Sequence, residues 1–345
     1  MRTIFFFFAC FPVLLFGQKA VLLKQHNLSK WKVPGANYSG IANLKADAKA
    51  GESIPYAVIS DIVANSGFYI FNIKQDKQTG DIIAVSPTPF VSGKTEDTKV
   101  NDYEGIAYVP QRNSLYISNE KDQSIKEFDL KGNHTGSSLE IPSEFGLESI
   151  YSNYGFEALT FDWQRKIFWT TTEHSLKKDG KLNANEPCLL RLQSFSLSGK
   201  PLQQYLYRTE APEATTKARN YAFGVSAMTA LPDGALLVLE REFFVAHNYI
   251  GSWVNHHIYE VRPSEKFALQ QMNNVSEAPV LKKKLITTFK TSLSLFSQNL
   301  ANYEGMCLGP KLADGRQTVI LISDSQNNYG NKLYRMKDYI KVMIL

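Results

Sequence analysis

The chain has 345 residues, 43% of them hydrophobic, which supports a packed core and excludes a disordered chain. Its formal net charge is +5, with no basic stripe interleaved with aromatics, so nucleic-acid binding is excluded. Aromatic residues make up 12%, including 17 Tyr and 21 Phe, a usage that favours strands over helices.

Met1-Arg2-Thr3 is a short basic start, and Ile4 to Phe16 is almost wholly apolar before Gly17-Gln18. This reads as a signal peptide over residues 1–17, cleaved near Gly17, because the run is short of the ~20 residues a spanning helix needs. Residues 18–345 then form a single domain, secreted or periplasmic, with no stable membrane span. Of the three cysteines, Cys188 and Cys307 would remain, each in an apolar strand of a different repeat, and two buried free thiols are expected.

Downstream, one phrase returns five times and opens a strand: Tyr38-Ser39-Gly40-Ile41, Tyr103-Glu104-Gly105-Ile106, Phe156-Glu157-Ala158-Leu159, Val225-Ser226-Ala227-Met228 and Tyr303-Glu304-Gly305-Met306. A second strand follows each, ending at Ser60-Asp61, Ser118-Asn119, Thr172-Glu173, Leu239-Glu240 and Ser323-Asp324. Period-2 alternation between turn signals groups the strands in fours. The first unit runs from Ser39 through Tyr56–Ser60 and Gly67–Ile73 to Asp81–Val85. The second holds Glu104–Val109, Ser114–Asn119, Ser124–Leu130 and Thr135–Ile141, and the third Glu157–Asp162, Lys166–Thr172, Cys188–Leu197 and Leu202–Thr209. The fourth holds Ser226–Leu231, Ala235–Glu240, His257–Arg262 and Lys282–Phe289. In the last, Glu304–Leu308, Thr318–Ser323 and Lys332–Lys337 leave a fourth place that Ala20–Leu28 can fill. An all-β propeller of four-stranded blades is therefore expected, closed by pairing the N- and C-terminal strands. Five blades are counted, and a sixth is possible within 240–300.

In such a ring the first strand of each blade lines the axis, and the start of strand one shares a rim with the end of strand two. Glu104, Glu157 and Glu304 are expected to converge there, with Asp61, Glu173, Glu240 and Asp324 just outside and Glu120 beside Asn119. So many like charges need a bound cation, protonation, or backbone N–H partners. Hard oxygen ligands point to Ca²⁺ or another divalent cation at Glu104, Glu157, Glu304, Asp61, Glu240 and Asp324. The catalytic candidates are Glu173, His174 and Arg241. His174 suits a general acid or base, while Arg241 suits a phosphate contact or the ion-pair partner of the ring. Gly224-Val225-Ser226-Ala227-Met228 lacks the last glycine of a nucleophile elbow, and no P-loop, dinucleotide fingerprint or His-Glu-x-x-His occurs.

At Tyr103-Glu104-Gly105-Ile106-Ala107, Gly155-Phe156-Glu157-Ala158-Leu159-Thr160, Asn302-Tyr303-Glu304-Gly305-Met306 and Ile322-Ser323-Asp324-Ser325-Gln326-Asn327-Asn328, the chain resembles the phytase-like domain family known as "esterase-like activity of phytase". The resemblance spans about Ser39 to Asn328. It implies a secreted or periplasmic bacterial propeller that hydrolyses phosphoesters or esters of small molecules, with calcium at acidic clusters. The expected protein is a monomer acting on such a substrate at its axial carboxylates. A non-catalytic cell-envelope binding propeller with structural calcium is the alternative.

Overall fold

The structure is a computed structural model that describes residues 20–45, 47–63, 66–93, 101–182, 185–269, 275, 277–331 and 334–345. The signal segment expected at 1–17 lies outside the described residues. Five antiparallel sheets, each built on a four-strand path, form the five blades of a β-propeller. Helical pieces among the described residues are short 3₁₀ turns such as Leu28–Trp31. No helix among them is long and apolar enough to cross a membrane.

Blade one comprises Tyr38–Asn43, Ser53–Ser60, Gly67–Gln75 and Ile82–Pro87. Blade two comprises Asn101–Val109, Ser114–Asn119, Ser124–Asp129 and His134–Ser138. Blade three is Phe156–Asp162, Ile167–Thr172, Leu189–Ser196 and Pro201–Arg208. Blade four has the longest strands, Asn220–Ala230, Leu236–Val245, Ser252–Val261 and Lys283–Leu293. Among the described residues of this stretch there is no sixth blade, and extra residues lengthen the blade's own strands. A tight hairpin joins the first two at Pro232-Asp233-Gly234, where Gly234 takes φ +89° and Asp233 Oδ1 accepts the Ala235 amide at 3.1 Å.

Blade five closes the ring. Asn302–Lys311 and Gln317–Asp324 are followed by Tyr339–Ile344; of the strand expected at 332–337, residues 332–333 lie outside the described residues and 334–337 form none. Asp338 ends the intervening loop, its carboxylate accepting the amides of Ser325 at 3.0 Å and Ala36 at 3.2 Å. The N-terminal segment then forms the outer strand, pairing Val21 with Ile344 and His26 with Ile340. His26 Nε2 lies 2.7 Å from Asp81 Oδ1 of blade one, so the joined ends are also fastened to the next blade.

The aromatic residue that opens each phrase wedges between blades. Tyr38, Tyr103, Phe156 and Tyr303 are buried, and so is Val225 in blade four. The tyrosine hydroxyls reach the Pro34 carbonyl, Ser66 Oγ and Gln25 Oε1 respectively. Two positions on, small residues let first strands approach. A Cβ on Gly105 would lie 2.6 Å from Leu159 Cβ, and one on Gly305 would lie 3.2 Å from the Gly40 backbone. Cys188 and Cys307 are free and buried.

Candidate functional site

One residue of each phrase interrupts the ladder. Tyr38 pairs with Ser60 and Gly40 with Ile59, so Ser39 has no partner across the strand. The same shift falls at Glu157, Ser226 and Glu304, and Glu104-Gly105 together face Ser118. Each blade thus carries a β-bulge at the Ser or Glu of its phrase. A bulge re-aims the side chain it extrudes. Ser39 and Ser226 turn theirs to the backbone carbonyls of Tyr103 and Tyr303 in the next blades. Glu104, Glu157 and Glu304 instead gather at the axis.

The same register aligns the second strands. Opposite the wedge residues stand Ser60, Asn119, Thr172, Glu240 and Ser323. The next residue in each strand is therefore Asp61, Glu120, Glu173, Arg241 and Asp324. These five are equivalent, so the sequence alignment of the endings was one residue out in blades two and four. Glu240 falls outside the set. It accepts the Tyr207 hydroxyl at 2.5 Å and the Glu210 amide at 2.9 Å, and lies 2.7 Å from Lys283 Nζ.

Arg241 takes the place where the other blades have an acid. It is buried, with Nη2 2.7 Å from Glu173 Oε1, 3.3 Å from Glu304 Oε1 and 3.7 Å from Glu157 Oε1. One guanidinium holds three blades together, and its carboxylate neighbours raise its affinity for the proton further. Its Nε has no hydrogen-bond partner among the described residues.

A single positive charge does not offset this many acids. Burial pushes Glu173 up to about 8, even against Arg241. Burial likewise brings Glu304 to about 7, where Arg241 and the Asn302 amide (2.7 Å to Oε1) pull the other way. Glu157 is raised well above its ordinary range by burial, then by Glu173 and Glu304. Asp324 is raised by burial and by Glu304 and Asp61.

The side of the ring facing away from Arg241 is the least compensated. Carboxylate oxygens of Asp102, Glu104 and Glu120, all from blade two, lie within 4.8 Å of one another. Burial and then Glu157 and Glu304 drive Glu104 well upward, although part of the residue stays open to solvent. Glu120 is lifted to about 7 by burial, opposed by the Gly155 amide that its Oε1 accepts. Asp102 was missed from the sequence. It stands two residues before Glu104, on the same face of the strand, and the paired register brings Glu120 beside both.

His174 follows Glu173 but is 3% exposed, edge-on to the rings of Tyr151 and Tyr154 at 6.0 and 5.4 Å. Burial lowers its affinity for the proton, so it is a neutral imidazole near pH 7, and its Nδ1 has no partner among the described residues. Tyr154 lies close enough to Glu173 and Arg241 to feel both charges.

Five blades, an axial ring of carboxylates and one buried guanidinium define a β-propeller with an acidic polar face. The chain matches the phytase-like family described as "esterase-like activity of phytase" over residues 37–329. It belongs to that family. Among solved structures, a member of the duf4221 family from Bacteroides vulgatus is 10% identical with a TM-score of 0.41, covering 95% of this chain and 98% of that one. A luciferin-regenerating enzyme is 11% identical with a TM-score of 0.39, covering 90% and 78%. A streptogramin B lyase is 12% identical with a TM-score of 0.35, covering 95% and 98%. No curated protein matches the chain significantly.

Proposed function

We propose that this protein is an exported, monomeric hydrolase of phosphoesters or carboxylic esters that works at its axial face with a divalent cation, most simply Ca²⁺. The observation that carries this reading is the uneven compensation of the ring. Arg241 answers Glu157, Glu173 and Glu304, while Asp102, Glu104 and Glu120 converge without a cationic side chain bonded to them among the described residues. The donor set fits: three hard carboxylates, two of them half-buried and reachable from solvent, are what Ca²⁺ takes. Glu157 and Glu304 stand beside them, and Asp61 and Asp324 complete the acidic rim; Glu240 is already engaged by Tyr207 and Lys283.

Bound there, the ion would supply a Lewis acid for the substrate oxygen and a more acidic water. The protein's own groups cover the rest. Glu173 keeps its proton at neutral pH and can pass it to the departing alkoxide as the ester bond breaks. Arg241 holds the Glu173 carboxyl in place, and its positive charge favours an anionic substrate. His174 buttresses Tyr154 close to Glu173 and Arg241.

The test is hydrolysis of a phosphomonoester and a carboxylic ester by the purified protein, with Ca²⁺ and with chelator, beside Glu173→Gln. Calcium-dependent turnover that falls at least tenfold in the variant supports the reading. Calcium binding without turnover of either ester class leaves a binding propeller with structural calcium. Arg241 favours that second reading, because it makes half of the ring an inter-blade clasp.

A further inference from the structure

The opposite end of the axis carries a different chemistry. There the first strands enclose a cavity of about 860 Å³, within the ~300–1,000 Å³ usual for small-molecule sites. Its lining begins at Ile41, Ile106, Leu159 and Met306, each directly after the Gly or Ala of its phrase, and continues to Phe161 and Leu231. All five blades contribute, and none of the ring carboxylates reaches it.

The polar groups on this wall are turned away to backbone. Asn43 donates to the Leu308 carbonyl at 3.0 Å and accepts the Lys45 amide at 2.8 Å. Thr229 donates to the Met306 carbonyl at 2.7 Å, and Thr160 accepts the Ala230 amide at 3.1 Å. Trp163 donates to the Tyr108 carbonyl at 3.1 Å. What remains facing the space is largely hydrocarbon and aromatic ring.

The mouth is basic. Lys49, Lys77 and Lys311 border it, all exposed and none of them ion-paired among the described residues. Two acids share the border. Asp162 is held by Arg165 at 3.2 Å, which leaves one exposed acid, Asp47, against the three lysines.

We propose that this cavity binds a medium-chain carboxylate, the acyl chain in the apolar well and the carboxylate among Lys49, Lys77 and Lys311. An apolar wall asks for a chain, its length limited by the ~13 Å that four residues of a first strand span. Three ammonium groups at one mouth select an anionic head over a neutral or cationic one. The site is independent of the axial carboxylates and holds whether or not they are catalytic.

The test is calorimetric titration of residues 18–345 with octanoate, decanoate and dodecanoate, and with dodecyltrimethylammonium. Saturable binding is expected to tighten about fourfold per methylene. The cationic amphiphile is expected to bind at least tenfold more weakly. Leu231→Trp fills the well, and the Lys49→Glu/Lys77→Glu/Lys311→Glu variant inverts the mouth at exposed positions that leave the fold alone. Each is expected to weaken dodecanoate at least tenfold. Absence of saturable binding, or binding indifferent to head charge and to both variants, overturns the proposal.

Discussion

Arg241→Met removes the one cation of the axial ring while keeping most of the side chain's bulk. In the folded protein the guanidinium is 4% exposed and lies 2.7 Å from Glu173 and 3.3 Å from Glu304. Removing one partner of a buried ion pair costs about 3–5 kcal/mol, because the other charge stays buried and unanswered. Against a total stability of about 5–15 kcal/mol, that is a large share. The cost also has a pH signature. Glu304 and Glu173 already hold protons to about 7 and 8, and losing Arg241 raises them further. Near pH 5 both carboxyls are neutral in the folded state and the substitution is mild. Near pH 8.5 they must either ionise uncompensated or take up protons against the solvent, and the full cost is felt. Urea unfolding at the two pH values, without calcium, measures the difference, with Arg241→Lys as the variant that keeps the charge and loses the fork. A loss below ~1 kcal/mol at high pH, or a loss equal at both pH values, would refute the argument that Arg241 is the ring's counter-charge.

The calcium-free protein should itself lose stability as pH rises. Glu120, Glu173 and Glu304 keep protons to about 7, 8 and 7 when folded but release them near 4.5 when unfolded, so the folded state binds more protons in that window. Stability therefore falls as pH rises from about 4.5 through 8, and urea midpoints across that range check it. Glu304→Gln should flatten this slope and leave the protein more stable than the parent near pH 8.5, by about 1 kcal/mol or more, as the same titrations will show. Gly105→Ala places a methyl 2.6 Å from Leu159 Cβ and should cost about 1–3 kcal/mol with an unchanged denaturant slope. Deleting residues 20–28 strips the outer strand from Tyr339–Ile344 and opens a sheet edge; a lowered melting temperature with concentration-dependent light scattering is expected.

The blades were legible because a repeated phrase marks repeated local chemistry. Each wedge aromatic, each small residue after the bulge and each turn such as Pro232-Asp233-Gly234 does the same work in its own blade. The bulge itself was not legible, since an extra residue in one strand shows only when its partner strand is known. That single-residue ambiguity put Asn119 and Glu240 where Glu120 and Arg241 stand. Asp102 shares a face with Glu104 by simple alternation, but it lies before the repeated phrase and has no counterpart acid in the other blades, so the phrase did not mark it. Arg241 was legible as a possible ion-pair partner of the ring, but which acids it meets, in blades three and five, is a contact between distant segments that spacing along the chain does not give. At the C-terminus, Tyr339–Ile344 carries the apolar alternation that Lys332–Lys337 lacks, but Asp338 must first tie the preceding loop to Ser325 and Ala36.

The most direct test of the central claim is a Ca²⁺ titration of residues 18–345 by calorimetry and thermal melting at about pH 7.5, beside the Asp102→Asn/Glu104→Gln variant. Ca²⁺ should bind at one axial site, raise the melting temperature and release protons, since carboxyls held neutral by crowding must ionise to ligate it. The variant should lose the heat and the stabilisation while remaining folded. Binding that survives the double substitution, or no binding by the parent protein, would contradict a metal-assisted axial site and leave the ring as a clasp between blades.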